Sequence, residues 1–254
     1  MFEENTLALI FVSLMGLSIL LYAILDGYDL GVGIKLPLDQ TDNADTMIAS
    51  IGPFWDANET WLVLAIGLLL IAFPAAHSYI FKELYLPTAV LLISLVLRGV
   101  AFDFRAKAAF GHKPTWNKVF KIGSLLAALS QGYMLGMYVM GFESTVAAYC
   151  FSLLSAFGVA AAYSYIGACW LIMKTEGELQ IQAVAWAKKS GLICFLGIIA
   201  VSFVNPLINP GVYEKWFAWP NTLLILTLPA ICFALFIFSL IQLKQLPKIN
   251  DKGC

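Results

Sequence analysis

Seven apolar runs of membrane-spanning length divide this chain and limit its fold more than any other feature. A window of about 19 residues finds them at roughly 7–25 (extending toward 35), 57–76, 84–102, 119–141, 146–172, 190–208 and 221–243. The runs lack the period-2 alternation of membrane β-strands, so helices are the form that satisfies their backbone hydrogen bonds within lipid. The sequence therefore predicts an all-α, polytopic transmembrane helical bundle of about seven spans, with residues 1–254 as a single integral membrane domain.

The composition supports a membrane location and excludes other classes. Hydrophobic residues make up 61% of the chain and charged residues 12%, and the mean hydropathy is +0.84. Soluble domains average roughly 45 to 50% and about 25% in these two categories. The formal net charge of −1 provides no basic surface for a nucleic acid. We therefore expect membrane lipids, and no nucleic acid, around this chain.

The distribution of basic residues predicts the orientation of the helices, because Lys and Arg concentrate on the cytoplasmic side of membrane proteins. With a periplasmic N-terminus, 13 of the 15 basic residues fall in cytoplasm-facing segments, and only Lys82 and Lys215 fall outside them. The 13 are Lys35, Arg98, Arg105, Lys107, Lys113, Lys118, Lys121, Lys174, Lys188, Lys189, Lys244, Lys248 and Lys252. We expect the N-terminus to be periplasmic and the C-terminus, with Cys254, to be cytoplasmic.

This topology brings ionisable residues from three spans to one membrane depth. They are Asp26 and Asp29 at the end of the first span, Asp56 and Glu59 at the start of the second, and Arg98, Asp103 and Arg105 at the end of the third. Each costs about 2.5 to 3.5 kcal/mol near hydrocarbon on insertion scales, so such residues are usually retained for ion or proton chemistry. Coupled carboxylates beside arginines are suited to passing protons near neutral pH. Structural ion pairs or snorkelling helix anchors explain the same pattern equally well.

Histidine, methionine and cysteine give little support for a redox centre in this chain. The two histidines, His77 and His112, fall at opposite membrane edges, where they cannot ligate one haem together. Met134, Met137 and Met140 form a stripe that is more typical of helix packing than of iron ligation. The five cysteines lack metal-ligand spacing. We expect no metal site and no haem ligand here.

Three motifs carry a resemblance to a known family. They are LDGYDLGVG at residues 25–33, GPFWDANETWL at 52–62 and LRGVAFDFR at 97–105, with a weaker match, KTEGEL, at 174–179. In this order and spacing they are similar to subunit II of cytochrome bd-type quinol oxidase. The sequences of the motifs are especially similar to those of the cyanide-insensitive branch. Three long motifs in the expected order are far more specific than a single short match.

The resemblance implies a function and a set of partners. It implies a multi-pass subunit in the bacterial inner membrane, paired with a subunit I that carries haems b and d and oxidises quinol while reducing oxygen. By this resemblance, subunit II would support assembly and cytoplasmic proton or oxygen access and would contact the quinol pool through the complex, and a structural quinone is a possible further ligand. By motif, the polar candidates are Asp26, Asp29, Asp56, Glu59, Arg98, Asp103 and Arg105, with Trp55, Asn58 and Trp61 as neighbours. Asp56 is the first choice for proton conduction, and a simple helix N-terminal carboxylate is its alternative.

The chain departs from the family in length. The family has two four-helix bundles and a ninth helix, whereas seven spans are predicted here. Residues 1–141 would form the first bundle and 142–254 an incomplete second one, apparently shortened at the C-terminus. Two other functions stay open at this point: a proton-coupled membrane carrier, which would need polar residues near the bilayer midplane, and a truncated structural remnant.

Overall fold

The computed structural model describes residues 2–38, 41–108, 112–208, 210–219 and 221–250, and all of its regular structure is helical. The helices are α1 (Phe2–Lys35), α2 (Thr41–Ile51), α3 (Trp55–Ala72), α4 (Pro74–Glu83), α5 (Tyr85–Lys107), α6 (Lys113–Val139), α7 (Val146–Lys174), α8 (Gly177–Ile208), α9 (Pro210–Phe217) and α10 (Asn221–Asn250). Within these residues, seven helices are long and apolar enough to cross a membrane: α1, α3, α5, α6, α7, α8 and α10. The predicted fold class and number of spans are confirmed.

Three shorter helices and one long extension were not predicted. The helices α2, α4 and α9 lie between spans, and α8 begins at Gly177 rather than near residue 190. A hydropathy window misses such segments because they are amphipathic. In the first turns of α8, for example, Ala183 and Ala187 are buried while Glu178 and Lys189 are exposed. Helix α4 begins at Pro74, directly after the end of α3. Proline is tolerated at a first helical position, because the backbone N–H that it lacks would have no partner within the helix.

The centre of the bundle depends on close contact between α1 and α7. A Cβ atom added to Gly31 would lie 1.8 Å from the backbone oxygen of Tyr163, and one added to Gly167 would lie 2.5 Å from the carbonyl carbon of Gly31. The two backbones therefore touch, as small residues permit in membrane helices. Helices α3 and α6 also pack against α1, so its last turns are enclosed on several sides.

The bundle has two distinct ends. We call the side on which α1 begins the N-terminal side and the side on which it ends the opposite side. On the opposite side, α2 packs Met47, Ile48 and Ile51 into an apolar core that includes Val32 and Leu171. This amphipathic helix packs against that end of the bundle, next to the region where the charged motifs were expected.

Candidate functional site

Arg98 is the centre of a buried ion cluster between α1, α3 and α5. Its side chain has no exposed surface, and Nη1 lies 2.7 Å from Oδ1 of Asp26 and 3.2 Å from Oε1 of Glu59. Asp26 is also fully buried, whereas Glu59 is 23% exposed. The guanidinium carbon lies 5.6 Å from the ring centre of Trp55, within cation–π range. Three helices are therefore joined through one guanidinium.

Asp29 lies beside this ion cluster and has its own partner. The Asn58 amide donates hydrogen bonds to Oδ2 of Asp29 at 2.7 Å and to the Tyr28 hydroxyl at 2.9 Å. The Tyr28 ring stacks on Trp170, with ring centres 4.2 Å apart. The stacking fixes the orientation of the Tyr28 ring. The Tyr28 hydroxyl and the Asp29 carboxylate together fix the orientation of the Asn58 amide. Asn58 thus orients a carboxylate that is completely buried.

The cluster carries more carboxylates than cations. Asp26, Asp29 and Glu59 share the single guanidinium of Arg98 within this group. Oδ2 of Asp26 and Oδ1 of Asp29 have no hydrogen-bond partner among the protein atoms that the structure describes. Uncompensated buried charge costs several kcal/mol. The net charge of the cluster depends on how many of its three carboxylates carry a proton, so protonation changes the stability of the cluster. Its composition is that of a site that can take up and release protons.

The structure places Asp56, Asp103 and Trp61 outside the contacts of this cluster, whereas Trp55 contacts it through Arg98. Asp56 is exposed, one helical turn before Glu59 and close enough to act on it electrostatically. Asp103 is exposed, although the sequence placed it in the same polar group. Trp55 is half-buried and packs on Phe102, and Trp61 is half-buried farther along α3.

Arg105 belongs to a second polar cluster on the opposite side. Its Nη2 lies 2.6 Å from Oδ1 of Asp45 in α2, and its Nε donates to Oδ1 of Asn117 at 2.5 Å. The Lys113 ammonium also binds Asp45, at 3.0 Å. Partial burial acts to raise the pKa of Asp45, but the hydrogen bonds to Lys113 and Arg105 outweigh it and hold that pKa below its usual value. The cluster fastens α2 to α5 and α6.

Sequence reasoning also missed a polar chain on the N-terminal side of Asp26. The Gln131 amide donates from Nε2 to the Tyr22 hydroxyl at 2.8 Å, and the Tyr163 hydroxyl donates to Oε1 of Gln131 at 2.7 Å. Tyr22 and Tyr163 are buried. An amide in the middle of an apolar span was an available signal, because such a group needs interhelical partners.

The potential metal ligands are dispersed. Among the described residues, no group of three or more His, Cys, Asp or Glu side chains is arranged to hold a metal ion. His77 stacks on Phe81 and His112 is exposed. Met134 accepts a hydrogen bond from Thr88, and Met140 is part of an apolar core.

The fold and the site define a polytopic helical membrane protein with a buried, carboxylate-rich ion cluster near one end of its bundle. The family model of cytochrome bd terminal oxidase subunit II matches residues 7–249, and the chain belongs to this family. The resemblance found in the three motifs is thereby confirmed. Together with the seven apolar helices, the family makes the chain a multi-pass protein of the bacterial inner membrane.

Three relatives show the extent of the similarity. Cytochrome bd-I ubiquinol oxidase subunit 2 of Escherichia coli K12 is 31% identical over 215 residues, covering 77% of this chain and 57% of that protein. Cytochrome bd ubiquinol oxidase subunit 2 of Bacillus subtilis 168 is 30% identical over 194 residues, covering 71% and 57%. A probable cytochrome oxidase subunit 2 of Haemophilus influenzae Rd is 29% identical over 198 residues, covering 70% and 52%. The chain spans a little over half the length of these relatives.

Proposed function

We propose that this chain is the subunit of a cytochrome bd-type quinol oxidase that binds no haem and conducts protons from the cytoplasm toward a haem-bearing partner. The names of the relatives support the quinol oxidase, because two of them are ubiquinol oxidase subunits. Haems b and d, the quinol site and oxygen reduction belong to the partner in this proposal. The Arg98 cluster, with more carboxylates than cations, is the observation that supports proton conduction.

The proposed route runs inward from the surface along α3. Asp56 is exposed at the first turn, and Glu59 lies on the next turn with part of its surface exposed. Glu59 contacts Arg98, which in turn contacts the buried Asp26. A proton taken up at Asp56 would pass to Glu59 and then to the Asp26 and Asp29 pair, while Arg98 keeps its charge and lowers the cost of the anions.

The basic residues support the direction of this route. The opposite side of the bundle holds the ends of α1, α5 and α7, where the predicted cytoplasmic Lys and Arg residues concentrate. Asp56 lies on that side, since α3 begins there. Protons would therefore enter from the cytoplasm. Cys254, which the same prediction makes cytoplasmic, lies outside the described residues.

The test replaces Asp56 with asparagine in the complex of this chain with its haem-bearing partner. We expect Asp56→Asn to slow quinol-driven oxygen consumption by about tenfold or more, because a relay group typically contributes that much to proton transfer, while the haem absorption spectrum is unchanged. Asp42→Asn is the matched control: Asp42 is also an exposed aspartate in the first turn of a helix on the same side. Normal turnover of the assembled Asp56→Asn complex between pH 6 and 8 would leave Asp56 as a helix-terminal carboxylate only.

A further inference from the structure

The polar chain from Tyr163 through Gln131 to Tyr22 has a single direction. Tyr163 donates to the amide oxygen of Gln131, and the amide nitrogen donates to the Tyr22 oxygen. The Tyr22 hydroxyl accepts this bond and so keeps its own proton for another acceptor. Asp26 lies four residues later on the same face of α1. The two hydrogen bonds of the chain therefore run from Tyr163 to Tyr22, which lies one helical turn before the buried carboxylate.

An amide in the middle of such a chain forms hydrogen bonds to both of its neighbours but does not relay protons between them. To pass a proton from Tyr163 to Tyr22, Oε1 of Gln131 would gain a proton while Nε2 lost one. The product would be the imidic acid, with a C=N bond in place of C=O, and this tautomer is far less stable than the amide. A carboxyl group avoids this cost, because it gains and loses protons on two equivalent oxygens. Gln131 can hold the chain together without relaying through it.

The residue before Gln131 lines a cavity. A cavity of about 720 Å³ opens on the N-terminal side of the bundle, and its lining includes Lys82, Glu83, Ser130 and Tyr133. Ser130 immediately precedes Gln131, whose own side chain turns instead toward α1 and α7. Gln131 therefore lies next to a cavity-lining residue, with its side chain turned toward the helices that carry Tyr22 and Tyr163. A proton-conducting group there would join the two sides of the membrane.

Immediately beyond Gln131, the two helix backbones close together. A Cβ atom on Gly132 would lie 2.6 Å from Cα of Ala156, so α6 and α7 are in backbone contact at this level. Such contact leaves little room for water between these two helices. The Gln131 side chain then lies next to a tightly packed layer of α6 and α7.

We propose that Gln131 is a proton-insulating residue: it joins the hydrogen-bonded chain that ends one helical turn before Asp26, and its amide stops protons from crossing to the N-terminal side. This inference rests on the proposed role of the Asp26 cluster in proton uptake. It explains how a cluster open to protons from one side can avoid leaking them to the other. In an oxidase that builds a proton gradient, such a leak would dissipate the product of turnover.

The experiment measures passive proton flow through the assembled complex in liposomes that contain a pH-sensitive dye. No quinol is present, and an external acid pulse is applied with potassium and valinomycin to clamp the voltage. We expect Gln131→Glu to raise the rate of internal acidification above the wild-type rate by about tenfold, because the carboxyl relays protons. Gln131→Met, similar in length and unable to titrate, should stay near the wild-type rate. Tyr22→Phe added to Gln131→Glu should abolish the increase, because it removes the hydroxyl that lies between residue 131 and Asp26.

Two controls separate insulation from damage to packing. The haem spectrum and the thermal midpoint identify assembled variants, and Gln131→His provides a second titratable replacement if Gln131→Glu does not assemble. A wild-type rate in assembled titratable variants would overturn the proposal, as would equal leakage through Gln131→Met. The outcome is separate from the Asp56→Asn test, because passive flow is measured without turnover.

Discussion

Replacing Arg98 with methionine is the perturbation for which the structure gives the sharpest energetic expectation. Methionine keeps much of the apolar stem but removes the charge that contacts Asp26 at 2.7 Å, and both partners are fully buried. Breaking such a pair from one side leaves an uncompensated buried anion and costs about 3 to 5 kcal/mol. The second contact of Arg98, to Glu59 at 3.2 Å, is lost as well. We expect a free energy of unfolding lower by about 3 to 5 kcal/mol.

Partner variants make this expectation specific. Asp26→Asn should cost less, about 1 to 3 kcal/mol, because the amide oxygen can still accept from Arg98 and Glu59 still neutralises it. The double variant Arg98→Met with Asp26→Leu removes both charges and should be more stable than Arg98→Met alone. Lys113→Met is the matched surface control. The Lys113 and Asp45 side chains are 21% and 40% exposed, so their pair is worth about 0 to 1 kcal/mol.

The assay is equilibrium unfolding of the complex in lipid bicelles, followed by tryptophan fluorescence for each single variant and for the double variant. The coupling between Arg98 and Asp26 is obtained from the double-mutant cycle of Arg98→Met, Asp26→Leu and the double variant that combines them. If Arg98→Met cost no more than Lys113→Met, the ion pair would be weak, and the buried carboxylates would be protonated rather than stabilised as anions by the guanidinium. Equal stability of the double variant and Arg98→Met would refute the argument from the unpaired anion.

Two further predictions concern packing and orientation. Gly31→Ala should lower the thermal midpoint strongly and prevent close packing of α1 on α7, because its Cβ would lie 1.8 Å from the Tyr163 backbone oxygen. Gly16→Ala is the control: a Cβ atom there has no atom within 4 Å, so the free energy of unfolding should change by less than about 0.5 kcal/mol. Similar midpoints for the two variants would argue against the α1–α7 contact. In a chain whose other cysteines are replaced by alanine, an impermeant thiol reagent should leave Cys254 unlabelled in intact cells and label it after permeabilisation. Labelling in intact cells would reverse the orientation of the whole bundle.

The sequence was sufficient for the parts of the site that depend on topology. Apolar run length predicts the seven spans, and the direction of each span brings Asp26, Glu59 and Arg98 to one depth. Helix periodicity also explains the residues that do not join them. Ala101 and Arg105 follow Arg98 at intervals of three and seven and are buried, whereas Asp103, at an interval of five, faces outward.

The sequence was insufficient where contacts depend on the path of connecting segments. Arg105 lies about 10 Å beyond Arg98 along α5, at 1.5 Å per residue, too far to join the same cluster. Its partner, Asp45, is in a polar segment without an apolar run, so its position depends on how α2 folds back onto the bundle. Gln131 pairs with tyrosines on two other helices, and those pairs depend on helix rotation that a hydropathy pattern does not specify.

The position of α2 also determines the direction from which water can approach the Arg98 cluster. Its apolar face covers the opposite-side end of the bundle, and Asp45 fastens it to Arg105 and Lys113. Glu59 retains its partial exposure on the flank of α3, so water can reach the cluster at this side chain. In the proposed complex, the surface that lies against this flank becomes a wall of the access path. Lipid there would keep the path dry, while polar groups of the partner would hydrate it, so substitutions in another polypeptide would alter proton uptake through this one.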